Sequence, residues 1–459
     1  MFLVKRREFL KKLGLSAAAL SSSRLLNPLF SFATDPSTLG GKNLILLNLA
    51  GGFDSFAAFP YLLDPNVSNQ ADGFVQYLNT NRPATFVLPR ANLLDASSHS
   101  YLLNSYLGFA PAFAPLEPIW QANKIRLNQS IGIIGDLSGS HNYCENCYSF
   151  GDPNFVGGVS RGWYARLIEL LNLTDHQAYG FGTFSRIDFV TSDPQKAPVA
   201  GMRTEDLTWD DPIGGSRSAI NLETSRALLE AATISTSADA KLKAALSKGY
   251  DTVEFMTQVN TDTGPGKPLA LVGSYPAGSI GDTCKSIARL ISFLENEPNP
   301  KNRAFYAYEG GFDTHGNQGG ADRTSGVVSG ALHNHLSNVA LAIKALVDDL
   351  QNRGVWEKTV IILFSEFSRT AKQNGGAGTD HGAASTHLVM GGPVNGGVYG
   401  QAPTRADLMA KNCYPARLDF QNEFAAAVRW FAGAGVDEQI FPPGTYVLDP
   451  GLYGGLISA

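Results

Sequence analysis

A repeated local pattern constrains this chain most. A short, almost uncharged apolar run is broken by glycine and an acid, and a longer amphipathic stretch follows. Residues 42–49 (KNLILLNL) run straight into Ala50-Gly51-Gly52-Phe53-Asp54. An apolar run too short for a helix and closed by paired glycines reads as a strand buried on both faces before a tight turn. Similar runs occupy 131–134, 303–308, 359–364 and 386–390, and amphipathic stretches lie at 162–171, 222–232, 240–259, 281–294, 328–350 and 421–431. Strands alternating with helices predict an α/β fold, a doubly wound, mostly parallel sheet sandwiched by helices. No strong strand occurs over about 205–300, so a mostly helical insertion is expected there, within one domain spanning 34–459.

Residues 1–33 read differently. Lys5-Arg6-Arg7-Glu8-Phe9-Leu10-Lys11 carries paired arginines ahead of an apolar run, and Ser31-Phe32-Ala33 offers small residues for cleavage. This predicts a twin-arginine signal peptide, with the twin-arginine translocase as partner during export and a periplasmic or secreted product. No later stretch has the roughly 18 uncharged apolar residues of a membrane span, so no stable span is expected after cleavage.

Six of the 36 basic residues but one of the 41 acids lie in those 33 residues, leaving 30 basic against 40 acidic residues, or −10. An acidic body argues against nucleic-acid binding, which needs a basic footprint. It leaves room for an anionic substrate wherever a bound cation reverses the local sign. Of the four cysteines, Cys144 and Cys147 form Cys-Glu-Asn-Cys, for which a disulfide or inert thiols are the expected readings. A zinc knuckle would need a second pair, and Cys284 and Cys413 stand alone.

Ligands of open α/β sheets bind beyond the carboxyl ends of the strands. Those exits hold Asp54 after the first run and Ser138-Gly139-Ser140-His141 after the second. Asp313-Thr314-His315 follows the third; Glu366 and Arg369, then Asp380-His381, follow the fourth; His387 opens the last. Oxygen and nitrogen donors on separate loops suit a divalent metal ion, with zinc, manganese or calcium expected. Singly, each has a structural alternative: Asp54, Asp313 and Asp380 as cap or turn residues, Glu366 as partner of Arg369, His387 as a satisfied core histidine. Together they point to a site. His333 and His335, two apart in a helical stretch, point away from one another. No Gly-x-Ser-x-Gly elbow and no nucleotide-binding glycine loop falls between strand and helix.

These motifs in this order (RREFLK, LNLAGGFDSF, SGSH, GGFDTH, SEFSRT, GTDHG and HLVMGGPVNGGVYG) resemble a twin-arginine-exported family of unknown function, numbered fifteen hundred and one, of the alkaline phosphatase/sulfatase superfamily. The resemblance implies an alkaline phosphatase-like sandwich with a metal site at the carboxyl edge of the sheet. It implies metal ligation by Asp54, Asp313, His315, Glu366, Asp380, His381 and His387, and a nucleophilic Ser140 beside His141, with Ser138 behind it. Arg369 would brace the transferring anion. The function implied is hydrolysis of small phosphate or sulfate esters; the alternative is an inert secreted scaffold on the same fold. This chain has Asp313-Thr314-His315 where the superfamily has Asp-x-x-x-His, and Glu366-Phe367 where it has Asp-His, so Asp380-His381 would arrive from the glycine loop.

Overall fold

The computed structural model describes residues 41–82, 106–152, 161–173, 176–182, 187–192, 198–200, 227, 230–231, 236–261, 270–295, 300–321 and 328–458. The expected signal peptide and most of the amphipathic stretch 222–232 lie outside them. Strands β1 (Asn43–Leu49), β2 (Ile125–Gly132), β3 (Ala178–Phe181), β4 (Val199–Ala200), β5 (Arg303–Glu309) and β6 (Thr359–Phe364) follow one another along the chain. A hairpin, β7 (Arg369–Gln373) and β8 (Thr379–His381), precedes β9 (Ser385–Gly391), β10 (Gly397–Tyr399) and β11 (Leu418–Asp419). The longer helices are α1 (Phe74–Asn81), α2 (His141–Phe150), α3 (Trp163–Leu170), α4 (Ser237–Thr261), α5 (Ser279–Leu294), α6 (Ala331–Asn352) and α7 (Gln421–Ala432).

Nine strands form one sheet in the order β10-β2-β9-β6-β1-β5-β3-β4, with β11 also paired to β2. Every ladder is parallel except those of β9, which runs against β2 and β6. A parallel return after β6 would need a crossover helix. Here the chain instead makes the β7–β8 hairpin beyond the carboxyl edge and re-enters at that edge, so β9 runs backwards.

Alternation along β1 explains the layering. Ile45, Leu47 and Leu49 pack with α4, α5 and α6 in one core, whereas Leu44 and Leu46 pack with α2, α3 and α7 in another. A strand buried on both faces has no solvent side for polar residues, so β1 is almost wholly apolar; its two polar members, Asn43 and Asn48, donate to Thr359 Oγ1 (3.2 Å) and Tyr306 Oη (3.3 Å).

One expectation needs correction. The strand expected at 131–134 is Ile125–Gly132, whose middle carries Asn128, Gln129 and Ser130, all buried. Each has a partner: Asn128 donates to Glu423 Oε2 (2.8 Å), Tyr61 donates to Gln129 Oε1 (2.6 Å), and Ser130 donates to the Gln401 carbonyl (2.6 Å). Polar groups that find partners can occupy a core strand, and they hid this one from a hydrophobicity pattern. Helices α4 and α5 both lie in the stretch expected as a mostly helical insertion, about 205–300. Helix α5 buries Cys284, Ile287, Leu290, Ile291 and Leu294 in the same core as Phe305, so it covers the sheet. All four cysteines are free and buried. No helix among the described residues is long and apolar enough to cross a membrane.

Candidate metal centre

Three loops meet at the carboxyl edge because glycine lets their backbones touch. Gly51 and Gly52 after β1 have φ of 116° and 73°, which L side chains rarely adopt. A Cβ on Gly51 would sit 2.4 Å from the Asp313 amide nitrogen, and one on Gly52 would sit 2.3 Å from the Phe367 ring. The β7–β8 hairpin then folds across this edge, its turn formed by Gly375-Gly376-Ala377-Gly378.

The convergence point is Asp313 Oδ1. His315 Nε2 and His381 Nε2 each lie 3.1 Å from it and His141 Nε2 lies 3.5 Å away. The two former nitrogens are 2.8 Å apart. Each ring is fixed from behind through its other nitrogen. His141 Nδ1 is 2.9 Å from Glu366 Oε1, His381 Nδ1 is 2.7 Å from the Gly139 carbonyl, and His315 Nδ1 is 3.3 Å from Asp380 Oδ1. An acceptor at Nδ1 keeps the proton there and leaves the Nε2 lone pair facing the common point, the usual support for a ligating histidine. The buried ring of Phe367 lies under two of the imidazoles, with centroids 4.8 Å from His141 and 5.0 Å from His381.

Electrostatics agree with the geometry. The hydrogen bond to Glu366 raises the pKa of His141 against the opposing effect of burial, and Asp313 adds to the rise. What favours a proton at Nε2 favours any cation there. Burial pushes the Asp313 carboxyl up, but the Arg369 hydrogen bond and charge, with His381 and His315, outweigh it and hold the carboxyl at about 2. Asp380 is lowered chiefly by its hydrogen bond from Asn374. Burial lowers the pKa of His381, helped by the charges of His141 and Arg369.

These donors fit a divalent ion. His141 Nε2 is out of contact with solvent and, among the described residues, has no hydrogen-bond partner, Asp313 Oδ1 standing 3.5 Å away. A buried ring nitrogen left this way needs an explanation, and a cation supplies one. Tetrahedral zinc with bonds of about 2.0–2.1 Å would hold its ligand atoms about 3.4 Å apart; the three nitrogens on Asp313 Oδ1, at 3.1–3.5 Å, lie near that spacing, and the His315–His381 pair, at 2.8 Å, would have to open by about 0.6 Å. His141, Asp313 and His381 form one group that could hold a metal ion; His141, Glu145 and Glu366 form a second, overlapping one.

Three residues expected at the site do other work. Asp54 is fully buried and caps the short helix Ser55–Ala58, accepting from the Phe56 and Ala57 amides. Its other oxygen accepts from Arg82 Nη1 (2.8 Å) and Gln318 Nε2 (2.6 Å), which leaves it no room to ligate. His387 is a satisfied core histidine: Nδ1 faces Glu423 Oε1 (3.1 Å) and Nε2 the Ser365 carbonyl (3.2 Å). Arg369 does not face an incoming anion. Its buried guanidinium donates to the carbonyls of Gly51, Gly52 (2.7 Å), Phe312 (3.0 Å) and Thr379 (3.1 Å), and to Asp313 Oδ1 (2.6 Å). Glu366 backs His141 and accepts from the Gly51 amide (2.8 Å), and Asp380 backs His315. Ser140 is exposed and caps α2, its Oγ accepting from the Tyr143 amide (3.4 Å); Ser138 Oγ accepts from the Ser140 amide (3.3 Å).

Sequence reasoning missed Glu145, Arg82, Asn374, Gln318 and Phe367. Glu145 was within reach, four residues beyond His141 on one helix face. The others carry no local signal. No curated protein matches the chain. A family model described as a protein of unknown function (DUF1501) matches residues 298–437, from the approach to β5 to just beyond α7, a stretch that carries Asp313, His315, Glu366, Arg369, Asp380, His381 and His387.

Proposed function

We propose that the protein is an exported, metal-dependent hydrolase of small phosphate or sulfate esters on an alkaline phosphatase-like sheet. The observation that carries the reading is the convergence of three imidazole Nε2 atoms on Asp313 Oδ1, each ring fixed from behind by an oxygen. His141, His315, His381 and Asp313 would hold the ion, zinc first, with manganese or calcium next. When bound, such an ion neutralises ester oxygens and lowers the pKa of a coordinated hydroxyl or water.

The residues of this chain do the rest. Glu366, Asp380 and the Gly139 carbonyl keep each ligand ring in one tautomer and one orientation. Arg369 fixes Asp313. Asp313 and His315 are about half exposed, so the cluster opens to solvent on one side. Ser140, exposed and adjoining His141, is the nucleophile of this reading. It stands at the start of α2, where the first amides have no intrahelical acceptor and favour an anion. That end of α2 takes over the anion-bracing role Arg369 cannot fill.

The test is elemental analysis of protein purified without chelator, with turnover of 4-nitrophenyl phosphate and sulfate. Stoichiometric metal lost in His141→Ala and His381→Ala, with turnover lost in Ser140→Ala at unchanged metal content, is expected. A folded, metal-free protein without turnover overturns the reading in favour of an inert scaffold, which the internal use of Asp54 and Arg369 also suits. Export is tested by fusing residues 1–40 to a reporter and replacing Arg6 and Arg7 with lysine.

A further inference from the structure

The Gln318 side chain hydrogen-bonds Thr314, Thr379 and Asp54, none of them a converging ligand, yet it sits between the two loops that carry three of the four. Its side chain is fully buried. Oε1 accepts from Thr314 Oγ1 (2.9 Å) and from Thr379 Oγ1 (2.7 Å), while Nε2 donates to Asp54 Oδ2 (2.6 Å). Thr314 lies between Asp313 and His315; Thr379 directly precedes Asp380-His381. One amide therefore ties both ligand loops to a third point on the β1 loop. Asp54 is held there by its two backbone amides and by Arg82. Glutamine suits the position because its two ends differ: the carbonyl receives two hydroxyls and the amino group faces a carboxylate. Glutamate would set two carboxyls together in a buried site, and an aliphatic side chain would strand both hydroxyls and one lone pair of Asp54.

We propose that Gln318 is a positioning residue that sets the spacing of Asp313 and His315 against His381, and thereby the affinity of the centre for a divalent cation. Asp54 acts in this arrangement as the anchor of the ligand loops. The inference rests on the metal-centre reading. Outer-shell partners of metal sites change affinity about 10–100-fold when removed.

The experiment measures zinc affinity by chelator competition on the full chain, with the visible spectrum of the cobalt-loaded protein as a geometric readout. Gln318→Met is expected to weaken zinc binding 10–100-fold and to alter the cobalt spectrum. The paired change Thr314→Val with Thr379→Val keeps the core shape and is expected to move both readouts the same way. Adding the valine pair to Gln318→Met should add little, because the pair removes two of the three bonds that Gln318→Met already removes. In a His315→Ala background the effect of Gln318→Met should shrink. Unchanged zinc affinity and cobalt spectrum in a folded Gln318→Met protein, or in the valine pair should that variant misfold, overturn the proposal alone. A wild-type chain that binds neither zinc, manganese nor calcium overturns the metal centre, and this inference with it.

Discussion

At the residue scale, charge and hydrogen-bond supply decide what each side chain at the edge can do. Arg369 spends its guanidinium on four carbonyls and Asp313. Arg369→Met would leave those acceptors buried without a donor, so a loss on the order of 3–5 kcal/mol is expected in urea denaturation. Asp419 obeys the opposite rule. Burial raises its pKa to about 6, against backbone hydrogen bonds involving Val447 and Gln421 that lower it. Its pKa in the unfolded chain is about 3.9, so between about pH 4 and 6 the unfolded chain loses the proton first and stability falls as pH rises. Above that window the penalty is complete. Asp419→Asn should therefore gain about 1–3 kcal/mol at pH 7.5 and nothing near pH 3.5, checked by thermal melts at both values.

Elements bring distant residues together only where their backbones can approach. Gly378 shows this in the β7–β8 turn: an added Cβ would lie 2.3 Å from the His315 carbonyl carbon and 2.5 Å from the Thr314 oxygen. Gly378→Ala should push the hairpin off the Asp313-His315 loop and weaken metal binding about tenfold or more. Gly375→Ala, with open space around its Cβ, should leave titrations unchanged. The hairpin also explains why an acid–histidine pair so far from the end of β6 still reaches the edge. Its strands carry Asp380-His381 back to where Asp313 waits.

For the whole molecule, the candidate centre ties the exit of β5, the end of β8 and the start of α2 into one assembly, so an occupied site opposes separation of all three. Any ligand that binds only the folded state adds stability by mass action, about 2.7 kcal/mol at a hundred times its dissociation constant. The melting temperature should rise with added zinc and fall with chelator. Neither treatment should move a His381→Ala protein as far. A melting temperature indifferent to both would argue for a scaffold.

The sequence by itself determined four adjacent strands at the middle of the sheet, β9, β6, β1 and β5, and the edge at which chemistry could collect. Burial on both faces leaves a continuous apolar run, and the run must stop where the chain turns, so glycine and acids mark strand exits locally. It placed β1, β5 and β6 within a residue or two, and brought His141, Asp313, His315, Glu366, Asp380 and His381 into view. Only the tertiary structure decided which strand-exit residues converge. Asp54, His387 and Arg369 carry the same local signature as the others, but Arg82, Glu423 and the carbonyls of neighbouring loops claim them first. Gln318 and Asn374 look like ordinary loop residues until the hairpin folds onto the Asp313–Gln318 loop. A hydrogen bond is a property of two atoms that meet, and when the partners lie far apart in the chain no local pattern records which acceptor a donor will find.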